Sequence, residues 1–301
     1  MSGRLPIVWH PDYVAPLRPG HPFPMSKYGY LREALKARGL MEGWLAPAPL
    51  SALQIAGAHD ISYVERVIAG TLAKDETRRI GLPATEAVSR RARLSSAGTL
   101  LAARISLERG LSVNMAGGSH HAAADYGSGY CVFNDVAVAA RTLLDEGLVG
   151  RVLVVDCDVH QGDGTARIFA DDPRVFTLSL HAAKNFPARK AVSDMDVALA
   201  DGAEDADYLA RLDDALGEAL ERARPDLVFY NAGVDPWEGD RLGRLALSLG
   251  GLRRRDRKVL ATARAAGLPL AAALGGGYSR DPAELAARHA ILFEEAAALA
   301  A

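Results

Sequence analysis

The chain has 301 residues, a formal net charge of −2, eight histidines and two cysteines. That length buries a sizeable core without covalent staples, and Cys131 and Cys157 alone supply neither a disulfide framework nor a four-cysteine zinc site. Charged residues make up 24 % in nearly even balance, which excludes a disordered chain and a generally basic nucleic-acid binder.

Residues 7–9 predict a first strand, residues 26–38 a helix stopped by Gly39, and residues 60–69 a short helix stopped by Gly70. Residues 85–109 predict a long helix closed by Gly110. Strands predicted at 112–115, 151–155, 174–180, 227–231 and 268–274 then alternate with helices. Those helices are expected at 134–146, 165–170, 206–223, 252–266 and from 281 onward. Asp281-Pro282-Ala283-Glu284 is a strong helix start, with a cap acceptor, a first-turn proline and a carboxylate three residues on. Residues 181–205 form the longest irregular stretch, a length usual for functional or mobile loops.

The alternation predicts an α/β fold, with a mainly parallel sheet covered by helices on both faces. No linker, repeat or low-complexity tract divides the sequence, so one domain over residues 1–301 is expected. The basic runs Arg90-Arg91-Ala92-Arg93 and Arg253-Arg254-Arg255-Asp256-Arg257-Lys258 read as solvated helix faces. No stretch reads as a bilayer span; residues 259–274 are interrupted by Arg264, Gly267 and Pro269. The first six residues lack the apolar core of a secretion signal, and low cysteine use suits a reducing cytoplasm.

Ligands in open α/β sheets sit beyond the carboxyl ends of the strands. The segments that follow the predicted strands are polar or glycine-rich: 116–121, 156–164, His181, 232–236 and 275–278. Asp158 and His160, two apart at the end of an extended segment, project to one side and suit Zn²⁺ or Fe²⁺. Asp235 is the best third ligand, giving the three protein donors and open position of a catalytic metal. The alternative is that Asp156, Asp158 and Asp163 only cap turns and the next helix. His120 and His121, in a glycine-flanked loop, suit acid/base work, with Asp156 and Asp163 available to fix their tautomers. Tyr278, after three glycines, is placed to donate to an oxyanion, unless the glycines merely build a turn.

Five motifs together resemble the histone deacetylase superfamily, in the family's order and across nearly the whole chain. They are Gly117-Gly118-Ser119-His120-His121-Ala122, Gly129-Tyr130-Cys131-Val132-Phe133-Asn134-Asp135, Asp156-x-Asp158-x-His160-x-Gly162-Asp163-Gly164, Gly233-Val234-Asp235 and Gly275-Gly276-Gly277-Tyr278. His21-Pro22-Phe23-Pro24, Ile80-Gly81-Leu82-Pro83, Tyr230-Asn231-Ala232-Gly233 and Glu238-Gly239-Asp240-Arg241-Leu242-Gly243 are most similar to the class IV branch, of bacterial type. The resemblance implies the arginase–deacetylase fold, with Asp158, His160 and Asp235 as metal ligands. It implies His120 with Asp156 and His121 with Asp163 as the tandem acid/base pair, and Tyr278 as the carbonyl-polarising tyrosine.

The same resemblance makes Gly129 the acceptor of the substrate amide N–H, Tyr130 and Phe186 the aromatic walls of an acyl-lysine tunnel, and Leu242 part of its rim. It also implies a structural K⁺ at Asp156, Asp158, His160, Ser179 and Leu180. Ser119 departs from the bulky residue frequent in the family, which would enlarge the foot of the pocket. Asp163 is the ordinary family choice, whereas class IV members can carry Asn there.

The expected activity is Zn²⁺- or Fe²⁺-dependent removal of acetyl or longer acyl groups from lysine side chains of a protein or peptide. Acetylpolyamine hydrolysis is the alternative substrate class. A non-catalytic acyl-lysine or small-molecule binder and a binuclear arginase-type hydrolase rank lower. Neither nucleic acid nor membrane is an expected partner, and oligomeric state is left open.

Overall fold

The computed structural model describes residues 4–41 and 43–300. The first three residues, part of the segment weighed as a leader, lie outside them. Seven strands form one all-parallel sheet: β1 (Ile7–Val8), β2 (Leu111–Asn114), β3 (Val152–Asp156), β4 (Val175–Ala182), β5 (Met195–Leu199), β6 (Leu227–Ala232) and β7 (Leu270–Leu274). Their order is β1-β2-β7-β6-β3-β4-β5. Every residue of β3, β6 and β7 is buried, as expected for central strands covered on both faces.

Ten α-helices are described: α1 (Lys27–Ala37), α2 (Ala52–Ile55), α3 (Ile61–Ala69), α4 (Lys74–Ile80), α5 (Glu86–Arg109), α6 (Asp135–Asp145), α7 (Asp163–Ile168), α8 (Asp205–Ala223), α9 (Leu249–Ala265) and α10 (Pro282–Ala300). The long α5 packs on β2 and β7, α8 on β3, β4 and β5, and α9 on β6 and β7. The α10 start forms as expected: Asp281 Oδ1 accepts the Ala283 and Glu284 amides at 2.8 and 3.3 Å. No helix among the described residues is long and apolar enough to cross a membrane.

Two expectations need correction. The stretch 181–205 is not irregular throughout. It contains the end of β4 and all of β5, an edge strand whose burial alternates and whose short sequence, Met-Asp-Val-Ala-Leu, is broken by Asp196. The basic runs are not simply solvated. Arg255 is fully buried and donates to the carbonyls of Cys157 and Gly233, while Arg91 donates to Tyr13 O at 3.0 Å and to Tyr28 Oη at 2.7 Å. These guanidiniums pin loops from inside, where an unpaired backbone carbonyl would be costly.

Candidate active site

The carboxyl ends of β2, β3, β6 and β7 lie side by side, so the loops that follow them converge. Asp158, His160 and Asp235 meet there, all buried, with donor atoms mutually within 4.8 Å. Asp158 Oδ1 accepts the His160 amide at 2.9 Å and Asp158 Oδ2 the Gly276 amide at 2.6 Å. Asp235 Oδ1 accepts the Val159 amide at 2.9 Å. Asp235 Oδ2 is buried without a hydrogen bond and faces His160 Nδ1 at 3.2 Å. Gly276 closes over the cluster, where a Cβ would collide with Asp235 Oδ2.

The electrostatics of this trio are those of a cation site. Burial opposes a charge on His160, but Asp158 and Asp235 outweigh it and push its pKa up to about 10. Burial, reinforced by the Asp158 charge, pushes Asp235 up to about 7. Asp158 keeps its charge, because His120 and His160 overcome the burial. Two carboxylates and one imidazole, with one orphaned carboxylate oxygen, fit a hard or borderline divalent ion.

His120 and His121 stack beside the trio with ring centroids 4.1 Å apart. Each is bound through Nδ1 to a buried carboxylate, His120 to Asp156 at 2.6 Å and His121 to Asp163 at 2.7 Å. A carboxylate only accepts, so Nδ1–H donates and Nε2 is left for the cleft. The environments then diverge. Burial disfavours charge on both, but Asp156 and Asp158 override it at His120 and raise its pKa to about 9. At His121 burial is joined by repulsion from His120, and the pKa falls to about 4. The two imidazoles thus favour opposite charge states, His120 the cation and His121 the neutral ring.

Tyr278 lies over the cluster, 6.2 Å from the His160 ring and 6.0 Å from Tyr130, centroid to centroid. Phe186 meets the His121 ring edge-on at 4.8 Å and is 45 % exposed, so it reaches from the floor toward solvent. Leu242, 44 % exposed, is tied to the same wall by Asn185 Nδ2, which donates to its carbonyl at 2.6 Å. Gly129 is left-handed, and a Cβ there would stand 2.7 Å from His121 Cδ2. Asp156 and Ser179 are register partners on β3 and β4, with Leu180 next along the strand, so the positions expected for K⁺ share one buried edge. Ser119 borders a cavity of only ≈ 30 Å³, the room of about one water. It opens no large chamber.

Several supporting residues were not identified as site residues in the sequence. Asp240 accepts the amides of Tyr278 (2.7 Å), Leu242 (2.9 Å) and Gly243 (3.2 Å), so one carboxylate holds both the tyrosine and the rim. Asp135 accepts the amides of Gly118 (3.2 Å) and Ser119 (2.7 Å), fixing the approach to the histidines. Asn231 donates to Asp156 Oδ1 at 2.9 Å. All three lie within the quoted motifs, but only the folded chain reveals which backbone groups they meet.

A parallel α/β sheet with a buried carboxylate–imidazole cluster at its carboxyl edge places the chain among α/β proteins with a group that could hold a metal ion. A histone deacetylase domain matches residues 21–293, and the chain belongs to the histone deacetylase family. Histone deacetylase 2 of Arabidopsis thaliana is 33 % identical over 279 residues, covering 89 % of this chain and 72 % of that protein. An uncharacterized protein of Picosynechococcus sp. is 46 % identical over 297 residues, covering 97 % of this chain and 98 % of the other. The crystal structure of the HDA15 HD domain shares the fold at a TM-score of 0.83 and 20 % identity, covering 99 % of this chain and 89 % of that one. Family membership supports a deacetylase, an amide hydrolase, and the buried Asp-His-Asp group could hold the metal on which the family generally depends.

Proposed function

We propose that the protein is a cytoplasmic, class IV-like lysine deacylase of bacterial type, one catalytic domain over its 301 residues, acting on acyl-lysine of a protein or peptide. The observation that carries this reading is the convergence of Asp158, His160 and Asp235 with His120, His121 and Tyr278 in one buried cleft. Asp158, His160 and Asp235 would hold Zn²⁺, with Fe²⁺ the alternative for so oxygen-rich a set. A divalent ion there supplies Lewis acidity toward an acyl carbonyl and a water. Asp156, Asp158, His160, Ser179 and Leu180 would hold K⁺ beneath.

The protein's own groups account for the rest. Tyr130 and Phe186 flank the alkyl stem and exclude water, Leu242 borders the entrance, and the Gly129 carbonyl accepts the substrate amide N–H. His121, neutral and held by Asp163, takes a proton from the attacking water at Nε2 and passes it to the departing amine nitrogen. His120, paired with Asp156, keeps positive charge beside the forming oxyanion, and the Tyr278 hydroxyl donates to that oxyanion. The ≈ 30 Å³ cavity beside Ser119 favours acetyl over long acyl groups.

The test is a panel of peptides carrying acetyl- through myristoyl-lysine, run beside acetylputrescine, with metal content measured before and after chelation and reconstitution. Acetyl-lysine peptides should turn over fastest, and Tyr278→Phe should lower kcat by on the order of a hundredfold. Faster turnover of acetylputrescine than of every peptide would overturn the substrate class. Undiminished turnover by Tyr278→Phe would overturn the assigned role.

A further inference from the structure

The loops around the mouth of the cleft carry a charge balance unlike that of the chain. Segments 16–25, 77–82, 124–131, 183–193, 237–244 and 275–281 supply Phe23, Tyr130, Phe186, Leu242 and Tyr278. Together they hold nine Lys and Arg against four Asp and Glu, in a chain with 35 and 37. Two of the four acidic residues are committed, while Asp125 and Glu238 are exposed. Asp240 accepts three backbone amides, and Asp281 caps α10. Of the basic residues, Lys184 and Arg244 share Asp201 at 4.0 and 3.1 Å.

Six exposed arginines of these segments remain without an ion pair among the described residues: Arg18, Arg78, Arg79, Arg189, Arg241 and Arg280. Elsewhere some arginines are paired, such as Arg104 with Glu146 and Arg257 with Glu295, while Arg109, Arg151 and Arg224 are exposed without an ion pair but stand on separate stretches of the chain. Arg18, Arg79, Arg189 and Arg241 lie on four different segments of the mouth. Arg18 begins the turn that presents His21, whose ring is 6.5 Å from Tyr130. Arg79 donates to Gly127 O at 3.1 Å, and its own carbonyl accepts the Gly129 amide at 3.2 Å. Arg189 follows Phe186-Pro187, and Arg241 is bonded through its amide to Tyr278 O at 3.3 Å.

Acylation has removed the charge of the lysine that enters the cleft. Electrostatic attraction must therefore come from the residues beside that lysine. A cleft ringed by one sign of charge focuses its field on such groups and raises their rate of encounter. We infer that this arginine collar selects acyl-lysine flanked by acidic residues and repels cationic amines. The inference rests on the acyl-lysine reading above. It also bears on the alternative substrate, because acetylputrescine keeps an ammonium that the collar would oppose.

The experiment uses three peptides identical except for Glu, Gln or Lys on both sides of one acetyl-lysine. Hydrolysis is measured by the parent protein, and binding by fluorescence anisotropy to the full-length Tyr278→Phe protein, which spares the substrate. At low ionic strength both kcat/KM and affinity should fall in the order Glu, Gln, Lys, with roughly tenfold between the extremes. The spread should collapse at about 0.5 M salt, where screening is short-ranged. It should also shrink toward unity in Arg18→Gln/Arg189→Gln/Arg241→Gln, checked for an unchanged melting temperature.

Equal values for the three peptides, or an order that persists in the triple variant, would overturn the collar. If no peptide were hydrolysed, the lysine-deacylase reading would fail, and the anisotropy series would still decide the collar by itself.

Discussion

At the floor of the cleft, Asp156, Asp158, Asp163 and Asp235 are buried, each bound by a backbone amide or a histidine. At its mouth, Arg18, Arg189 and Arg241 are exposed, with no carboxylate partner among the described residues. Burying an ion costs several kcal/mol even after relaxation, so the floor tolerates its charges only in fixed and nearly complete networks. An exposed charge contributes between about zero and 1 kcal/mol per pair, so the mouth leaves its arginines open at little cost. The floor therefore fixes geometry, and the mouth supplies a field. The same type of interaction serves reaction in one place and selection in the other.

The largest expected effect lies at the floor. Asp158→Asn removes the charge of a candidate ligand and one of the two oxygens that meet the His160 ring and the Gly276 amide. Its metal affinity should fall by more than the roughly tenfold to hundredfold typical of outer-sphere changes. Titration of chelated protein with Zn²⁺, read calorimetrically, measures this, and an affinity equal to the parent's would remove Asp158 from the site.

Asp240→Asn comes next, since Asp240 stands between floor and mouth. The amide Nδ2 cannot accept from Tyr278 N–H, so kcat should fall by about tenfold with KM less affected. If Asp240 acts by positioning the tyrosine, the change should be nearly silent in a Tyr278→Phe background, a cycle that measures their coupling. Full additivity would mean that Asp240 acts elsewhere.

The smallest effect is expected at an ion-pair network away from both regions. Asp172 is bound by Arg174 at 2.8 Å and by Arg141, and the Arg174 hydrogen bond leads in holding its carboxyl down at about 2. A folded-state pKa below the unfolded value stabilises the protein above the unfolded value. That stability is lost as pH falls from about 4 toward about 2. Asp172→Asn should cost on the order of 1 kcal/mol at pH 7, with the difference from the parent closing across that acid window. Denaturant melts at several pH values give the curve; a pH-independent difference would show that the carboxylate charge is not the cause.

Much of the architecture was legible because its signals are local. β3, β6 and β7 are short apolar runs, and α10 begins on the Asp281 cap signal read directly from Asp281-Pro282-Ala283-Glu284. β5 was not legible, because an edge strand buries only alternate residues and this one carries Asp196 in five positions. The short α2 and α4 were missed for a related reason: four and seven residues give too little periodicity to recognise.

Within the site, the residue types that gather were legible in the chain alone, because every segment after a central strand carries histidine, aspartate or glycine. Which of them touch was a tertiary decision. The neighbours His120 and His121 have nearly the same sequence context, yet one is raised to about 9 and the other lowered to about 4. The difference comes from Asp156 and Asp158 beside His120, against burial and the His120 charge beside His121. Arg255 teaches the same lesson in reverse, since a run of basic residues on α9 hides one guanidinium under two loops of the site. Sequence spacing fixes where a side chain leaves the backbone. Desolvation and long-range charge depend on what the folded sheet brings beside it, and only the assembled structure sets those.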